Sequence, residues 1–463
     1  MRSLITFKKI VLLLAALPLA AAAQQATPMT LREAVRYGLE HSPVLQSAGA
    51  EIRAREGVAT TEHSQLMPQV NLFGGVTQSR FARGYPPATP PMELRFDETL
   101  FRGGAGLDYL VWDFRRTKLQ LESARERVQA AGLSLKRREQ EVIFQVAQLY
   151  LRALTFVDLT KAAEARRKSL KALVDRTHEL VVGGRAVPAD ELKVRTQLAR
   201  IDSELATLES GRKSSLAALA ATMGMDGGVP EIAYTPARAD EIPTSTSPEP
   251  ERVREALDTR PDLVAARHES AAADRGTQAA KQSHWPRITV DAGVVQYASG
   301  DPESFGNLIG EVLPGLPVPG GTLDNAVADW TVGATITFPL FDGGRRKGQI
   351  AEAAARREQA ERARQRLQLN IAREVHTASA ELEAAQSRVG SLREAVRQAT
   401  EVLHNEQAKY DAGKTVINFV LEAESDLLNN ESLLFEAERS VAIATLSLDL
   451  SLGRIQPDTL PGK

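Results

Sequence analysis

Seven histidines are the first residues in this chain that could do chemistry: His41, His63, His178, His268, His284, His376 and His404. No two stand at a metal-ligand spacing, and neither a glycine-rich phosphate loop nor a nucleophile elbow accompanies them. They read as solvated helix positions, and the sequence offers no residues for catalysis, a cofactor or a metal. More informative are two breaks in long helical sequence, VVGGRAVPADEL at 181–192 and KYDAGKTVINF at 409–419. Gly184 and Gly413 can each end a helix in the left-handed conformation. Pro188 suits the first turn of the helix that follows, and Asp190 and Glu191 favour its positive end. Both breaks are competent helical hairpin turns, and the remaining elements decide what else they are for.

The chain has 463 residues, 43% apolar and 25% charged, with a net charge of −2. That composition is globular, and the charge gives no case for binding nucleic acid. Arg2, Lys8 and Lys9, an apolar run at 10–20 and Ala21-Ala22-Ala23 form a secretory leader cleaved near Ala23. Cysteine is absent, which excludes disulfides and a lipid carried on an N-terminal cysteine. No second apolar stretch reads as long enough for a transmembrane helix, so membrane entry would require a β-barrel.

The chain is duplicated. Pro43 and Pro261, and Pro68 and Pro286, are 218 apart; Trp112-Asp113 and Phe341-Asp342, Gly184 and Gly413, and Met223-Gly224 and Leu452-Gly453 are 229 apart. After the leader (1–23), the halves are 24–250 and 251–463. The first holds a helix, two strands around a loop at 80–98, a long helix at 114–182, a turn at 183–188, a helix at 188–223 and a linker at 225–251. The second repeats this with a loop at 298–328, a long helix at 343–410, a turn at 411–416, a helix at 417–452 and a tail.

Four segments alternate as strands. Val70 and Leu72, Leu107 and Tyr109, Ile288 and Val290, and Trp330, Val332, Ile336 and Phe338 fall on apolar faces, opposite Asn71, Thr77, Thr289 and Asp291. Apolar-out strands of this length suit a transmembrane barrel, although a sheet half-buried in a soluble core has the same period. Four strands cannot close a barrel that needs about eight, so the barrel reading demands several copies. The long helices, at 1.5 Å per residue, extend roughly 100 Å, far beyond a bilayer. Ile371, Val375, Ala378, Leu382, Ala385 and Val389 keep coiled-coil spacing, and Val142, Val146, Leu149, Ala153 and Phe156 repeat it, with Thr160 and Arg167 departing.

With the duplication, the LREAVRYGLEHSPVL opening, the QLMPQV and HWPRI strand entries, the PLFDGGRR exit and YDAGKT, the chain resembles the TolC-like outer-membrane efflux protein family, in its non-lipidated branch. The resemblance implies a mostly α fold with a small transmembrane β part. It implies a homotrimer whose 12-stranded barrel, four strands per chain, sits in outer-membrane lipid of a Gram-negative bacterium and continues as a periplasmic coiled-coil α-barrel. Its partners would be a periplasmic membrane-fusion adaptor and an inner-membrane pump of the RND, ABC or MFS class. The expected function is passive conduction to the exterior; alternatives are the outer-membrane part of a type I protein secretion system, or a periplasmic coiled-coil adaptor or structural protein. Family members often close the mouth with a Tyr and an Arg at the second turn; Tyr410 matches the Tyr, whereas Thr415 holds the Arg position, leaving Arg185 or Lys414 as substitutes. Asp190 matches an acidic position of the first turn.

Overall fold

The structure, a computed structural model, describes residues 28–84, 93–226, 228–235, 248–299 and 327–460. The leader, the centres of both strand-connecting loops and part of the 225–251 linker lie outside the described residues. Helices α1 (Leu31–His41) and α2 (Pro43–Ser64) lead into strands β1 (Gln69–Gly84) and β2 (Glu93–Trp112), then α3 (Arg116–Val182) and α4 (Pro188–Met223). The second half repeats the order with α5 (Glu249–Thr259), α6 (Pro261–Lys281), β3 (Arg287–Ser299), β4 (Val327–Thr337), α7 (Arg345–Asp411) and α8 (Ile417–Leu452). Helix bounds in the two halves differ by a constant 218 before the strands and 229 after them, apart from the last turn of α6. The fold is mostly helical with one small antiparallel sheet.

Each half starts with a short helix whose end is forced by proline. Thr30 opens α1 with a capping box: its hydroxyl accepts from the Glu33 N–H at 3.3 Å while the Glu33 carboxylate accepts from the Thr30 N–H at 2.8 Å. Pro43 and Pro261 cannot donate backwards, so they stop α1 and α5 and start α2 and α6 in the first-turn position.

The four strands lie in chain order, β1-β2-β3-β4. Register pairs Val70 with Leu107, Leu107 with Ala292 and Ala292 with Val332; a second row runs Leu72, Ala105, Val294 and Trp330. Directly opposed residues share a face, so the apolar positions of all four strands lie on one side. Val70, Leu72, Tyr109, Trp330, Val332 and Ile336 are exposed there, and Leu107, Ile288 and Val290 half-buried. Phe338, assigned to this face from sequence, follows the last residue of β4 and is exposed. On the other face, Asp108 and Asp291 are opposed, held by Asn71 at 3.5 Å and Thr335 at 3.3 Å. The strands are longer than the sequence reading allowed: β1 continues to Gly84 and β2 begins at Glu93, inside the segment read as loop 80–98. Charged and polar residues there weaken the alternation, but an antiparallel partner satisfies the backbone whatever the side chains.

Strand becomes helix through an Asp. Asp113 accepts from the Thr117 N–H at 2.8 Å and Asp342 from the Arg346 N–H at 3.1 Å, satisfying donors that helix starts leave free. The two residues between are left-handed in both halves, as Gly343 and Gly344 in the second but as Phe114 (φ 55°) and Arg115 (φ 67°) in the first. Phe114 offsets this strain by stacking on Trp285, centroids 4.8 Å apart.

The long helices pair as two hairpins, α3 with α4 and α7 with α8, which meet through α3 and α8. One core joins α1, α3, α4 and α8 around Tyr150, Leu154 and Leu219; another lies between α7, α8 and α5 around Ile371, Val375 and Leu448. Tyr150 donates to the Ala233 carbonyl at 2.7 Å, and burial pushes its phenol up to about 12. Contrary to the sequence reading, α3 contains an 18-residue stretch apolar enough to cross a membrane. Some 56% of it is buried within the chain, because α3 is covered on two sides and needs apolar residues on both.

Candidate functional site at the two hairpin turns

Both turns close with one backbone motif. Gly184 N–H donates to the Val181 carbonyl at 3.0 Å and Arg185 N–H to Leu180 at 2.8 Å; Gly413 N–H donates to Tyr410 at 2.9 Å and Lys414 N–H to Lys409 at 2.8 Å. The paired bonds satisfy carbonyls that a helix end would orphan, and they require a left-handed residue. Gly184 (φ 69°) and Gly413 (φ 70°) supply it. Val187 and Val416 then extend the chain into α4 and α8. Since each long helix begins at a strand end, both turns lie about 100 Å from the sheet.

The surroundings of the turns differ. Glu191 takes the His178 ring at 3.1 Å and Arg195 at 2.7 Å, while Lys193 faces Asp190 at 3.5 Å. Hydrogen bonds from His178 and then Arg195 hold the Glu191 carboxyl below the usual range. At the second turn, Tyr410 is buried in a cluster with Leu170, Val174, Val194, Ile417 and Val420, which joins both hairpins. Among the described residues its hydroxyl is buried without a hydrogen-bond partner. Burial pushes the phenol up, with Thr177 opposing and the Asp190 and Asp411 carboxylates adding. Thr177 has already given its own hydroxyl to the Leu173 carbonyl, at 2.7 Å.

The structure places Asp190 where its charge acts on Tyr410. It does not bring Arg185, Lys414 or Thr415 to them: among the described residues these three side chains make no ion pair or hydrogen bond, and Arg185 and Lys414 are exposed. The cation beside Tyr410 is Arg176, which ties α3 to α7 through Asp411 at 2.9 Å. Sequence reasoning missed it because nothing in the order of residues links position 176 to 411. Val182, Val187, Leu192, Val416 and Phe419 leave apolar side chains exposed around both turns.

Above the turns the hairpins are locked by buried charge. Arg166 pairs with Glu424 at 3.1 Å, Ser169 donates to Glu424 at 2.8 Å, and Arg439 pairs with Asp158 at 2.8 Å. Arg167, the seam position in the sequence, instead reaches Asp202 at 2.6 Å on α4. The inward position moves one residue back because α8 packs on that side of α3 and draws Arg166 towards Glu424. Three histidines are paired, not merely solvated: His178 with Glu191, His268 with Glu126 and His376 with Glu249, each across two helices.

Two hairpins of this length fused to an apolar-faced sheet with two open edges fit one class of protein, the outer-membrane channel. The sequence pattern of the outer membrane efflux protein family matches residues 35–225 and 253–454, and the chain belongs to that family. It is 24% identical over 441 residues to outer membrane efflux protein BepC of Brucella suis, covering 94% of this chain and 88% of BepC. It is 24% identical to outer membrane protein OprJ of Pseudomonas aeruginosa, covering 91% and 84%. The crystal structure of outer membrane protein VceC from Vibrio cholerae superposes with a TM-score of 0.72 at 22% identity, covering 91% of this chain and 96% of that one. The chain is thus an outer-membrane efflux protein of the Gram-negative type that reaches into the periplasm, in a family of channels rather than enzymes.

Proposed function

We propose that three copies of this chain close a 12-stranded barrel in outer-membrane lipid and continue it as a periplasmic tunnel, forming the passive exit duct of a tripartite export system. A sheet with one exposed apolar face and open edges at β1 and β4 carries this reading. Left alone, such edges would offer unpaired backbone to a lipid interior that cannot satisfy it. Closing the ring removes both edges at once. The turns then ring the periplasmic mouth three times over.

At that mouth Tyr410, braced by Arg176 and Asp411 and facing Asp190, holds the second hairpin against the first and narrows the entrance. Gly184, Gly413 and the exposed Val187, Leu192, Val416 and Phe419 form the surface on which the helical hairpin of a periplasmic adaptor docks, coupling the duct to an inner-membrane pump. Arg185, Lys414 and Thr415 belong to that docking surface and not to the closure.

The purified protein is expected to run as an SDS-resistant, heat-dissociable trimer and to conduct ions in planar bilayers. A monomeric, non-conducting preparation from the soluble fraction would overturn the proposal.

A further inference from the structure

From residue 116 to residue 131, α3 repeats in α7 along one stripe. Arg116, Gln120, Ala124, Arg127 and Ala131 recur at the offset of 229 as Arg345, Gln349, Ala353, Arg356 and Ala360. Of the positions between them, only Lys118 recurs as well, as Lys347. Steps of four and three residues keep a helix on one face, so duplication has left the same polar face on both long helices.

On α3 this face is the floor of a groove between α2 and α6. Two adjoining cavities of about 370 and 330 Å³ share Arg127; Arg138 lines the first, and Arg116, Gln120 and Gln349 line the second. Arginines at 116, 127 and 138 stand close to three turns apart, about 16 Å along the helix. None of the three side chains has an ion-pair or hydrogen-bond partner among the described residues. Of the carboxylates that line the groove, Glu51 is already held by Arg55 at 2.9 Å, and Glu62 keeps one oxygen buried. Glu269 is left as the exposed, unpaired carboxylate against three unpaired arginines.

The segment 228–235 distinguishes the two sides of this helix layer. It crosses α3 where Tyr150 donates to the Ala233 carbonyl at 2.7 Å and Lys161 lies 3.1 Å over the Tyr234 ring. At 3.6 residues per turn, both stand about 140–160° around the helix from Arg127. A segment laid across the inside would obstruct a duct, which leaves the arginine face for the lumen. We propose that Arg116, Arg127 and Arg138 form an anion-binding track in the wall of the duct, which takes solutes carrying phosphate, sulfate or carboxylate groups. Arg345, unpaired, and Arg356, shared with Glu352, repeat the track on α7. A guanidinium fork grips such a group with two parallel hydrogen bonds, and the even spacing passes it from one arginine to the next. The proposal rests on the duct reading and adds the chemical class that the wall favours.

The test uses the full chain in planar bilayers under a KCl gradient, with inorganic pyrophosphate as the probe anion. Arg116→Gln/Arg127→Gln/Arg138→Gln is expected to lower the chloride-to-potassium permeability ratio about threefold and to raise the pyrophosphate concentration for half-block about tenfold. Lys118, Arg125 and Lys136 are exposed on the opposite face of α3. Lys118→Gln/Arg125→Gln/Lys136→Gln removes as much charge and is expected to change neither value. Parent values in the first variant, or equal shifts in both, overturn the track and leave the duct. Should the first variant fail to assemble, Arg116→Lys/Arg127→Lys/Arg138→Lys keeps the charge and loses the fork. It is expected to keep the permeability ratio while weakening the block, and a block of parent strength overturns the track. A parent that does not conduct overturns the duct reading itself.

Discussion

The turns at Gly184 and Gly413 have the same backbone, the same two hydrogen bonds and φ values one degree apart, but they are held in opposite ways. The first is surrounded by surface charge, with exposed His178, Lys193 and Arg195 paired to half-buried Asp190 and Glu191, in pairs that solvent screens. The second is anchored by one buried aromatic that reaches across to the other hairpin. A helix-ending motif thus specifies where the chain reverses and says nothing about what holds the reversal in place. Duplication copied the motif, and the neighbours differ because Tyr410 corresponds to Val181 and Phe419 to Asp190.

The largest test of this contrast is to remove the anchor. Tyr410→Ala is expected to cost about 3 kcal/mol at the tip, read as faster amide exchange across both hairpins and as raised single-channel conductance. Val181→Ala, at the equivalent half-buried position, is expected to change stability by less than about 0.5 kcal/mol. Equal effects at the two positions would erase the contrast.

The shared backbone is tested next. A Cβ at either glycine meets nothing within 4 Å, so the penalty for Gly184→Ala or Gly413→Ala is conformational alone. It is expected at about 1–2 kcal/mol for each, equal within error by denaturant unfolding. Unequal losses would mean that packing, not φ, sets the requirement at one turn.

Tyr410→Phe separates packing from polarity. The buried hydroxyl has no hydrogen-bond partner among the described residues, so its loss is expected to leave stability unchanged within about 1 kcal/mol. Conductance that rises as far as in Tyr410→Ala would assign closure to the hydroxyl and not to the ring.

The smallest effect concerns pH. His178 and Arg195 depress the Glu191 carboxyl. The stability it lends the first turn is therefore fully present above the ordinary carboxylate range and is lost as pH falls through the lowered value. Amide exchange near residues 183–191 should quicken on acidification through that range, and Glu191→Gln should abolish the dependence. Tyr410, whose phenol is raised, predicts the reverse order at the second turn: its contribution persists at neutral pH and is lost only on strong alkalisation.

Much was legible in the sequence. The offsets of 218 and 229 located the repeated elements, the glycines located the reversals, and alternation at Val70, Leu72, Trp330 and Val332 located the exposed sheet face. These features depend on local periodicity and backbone permission, which a one-dimensional pattern records directly. Contacts between distant positions left no such record. Asp158 and Arg439 are 281 residues apart, and Arg166 rather than Arg167 faces inward only because α8 lies on that side. Arg176 reaches Asp411 across the tip, while the basic residues beside the turns, Arg185 and Lys414, do not enter the closure. Sequence alone determined the elements, their duplication and the points where the chain turns, because each follows from short-range sterics and hydrophobic period. Tertiary structure alone decided which charges are buried together and which face of each long helix is covered, because burial is a property of the neighbour.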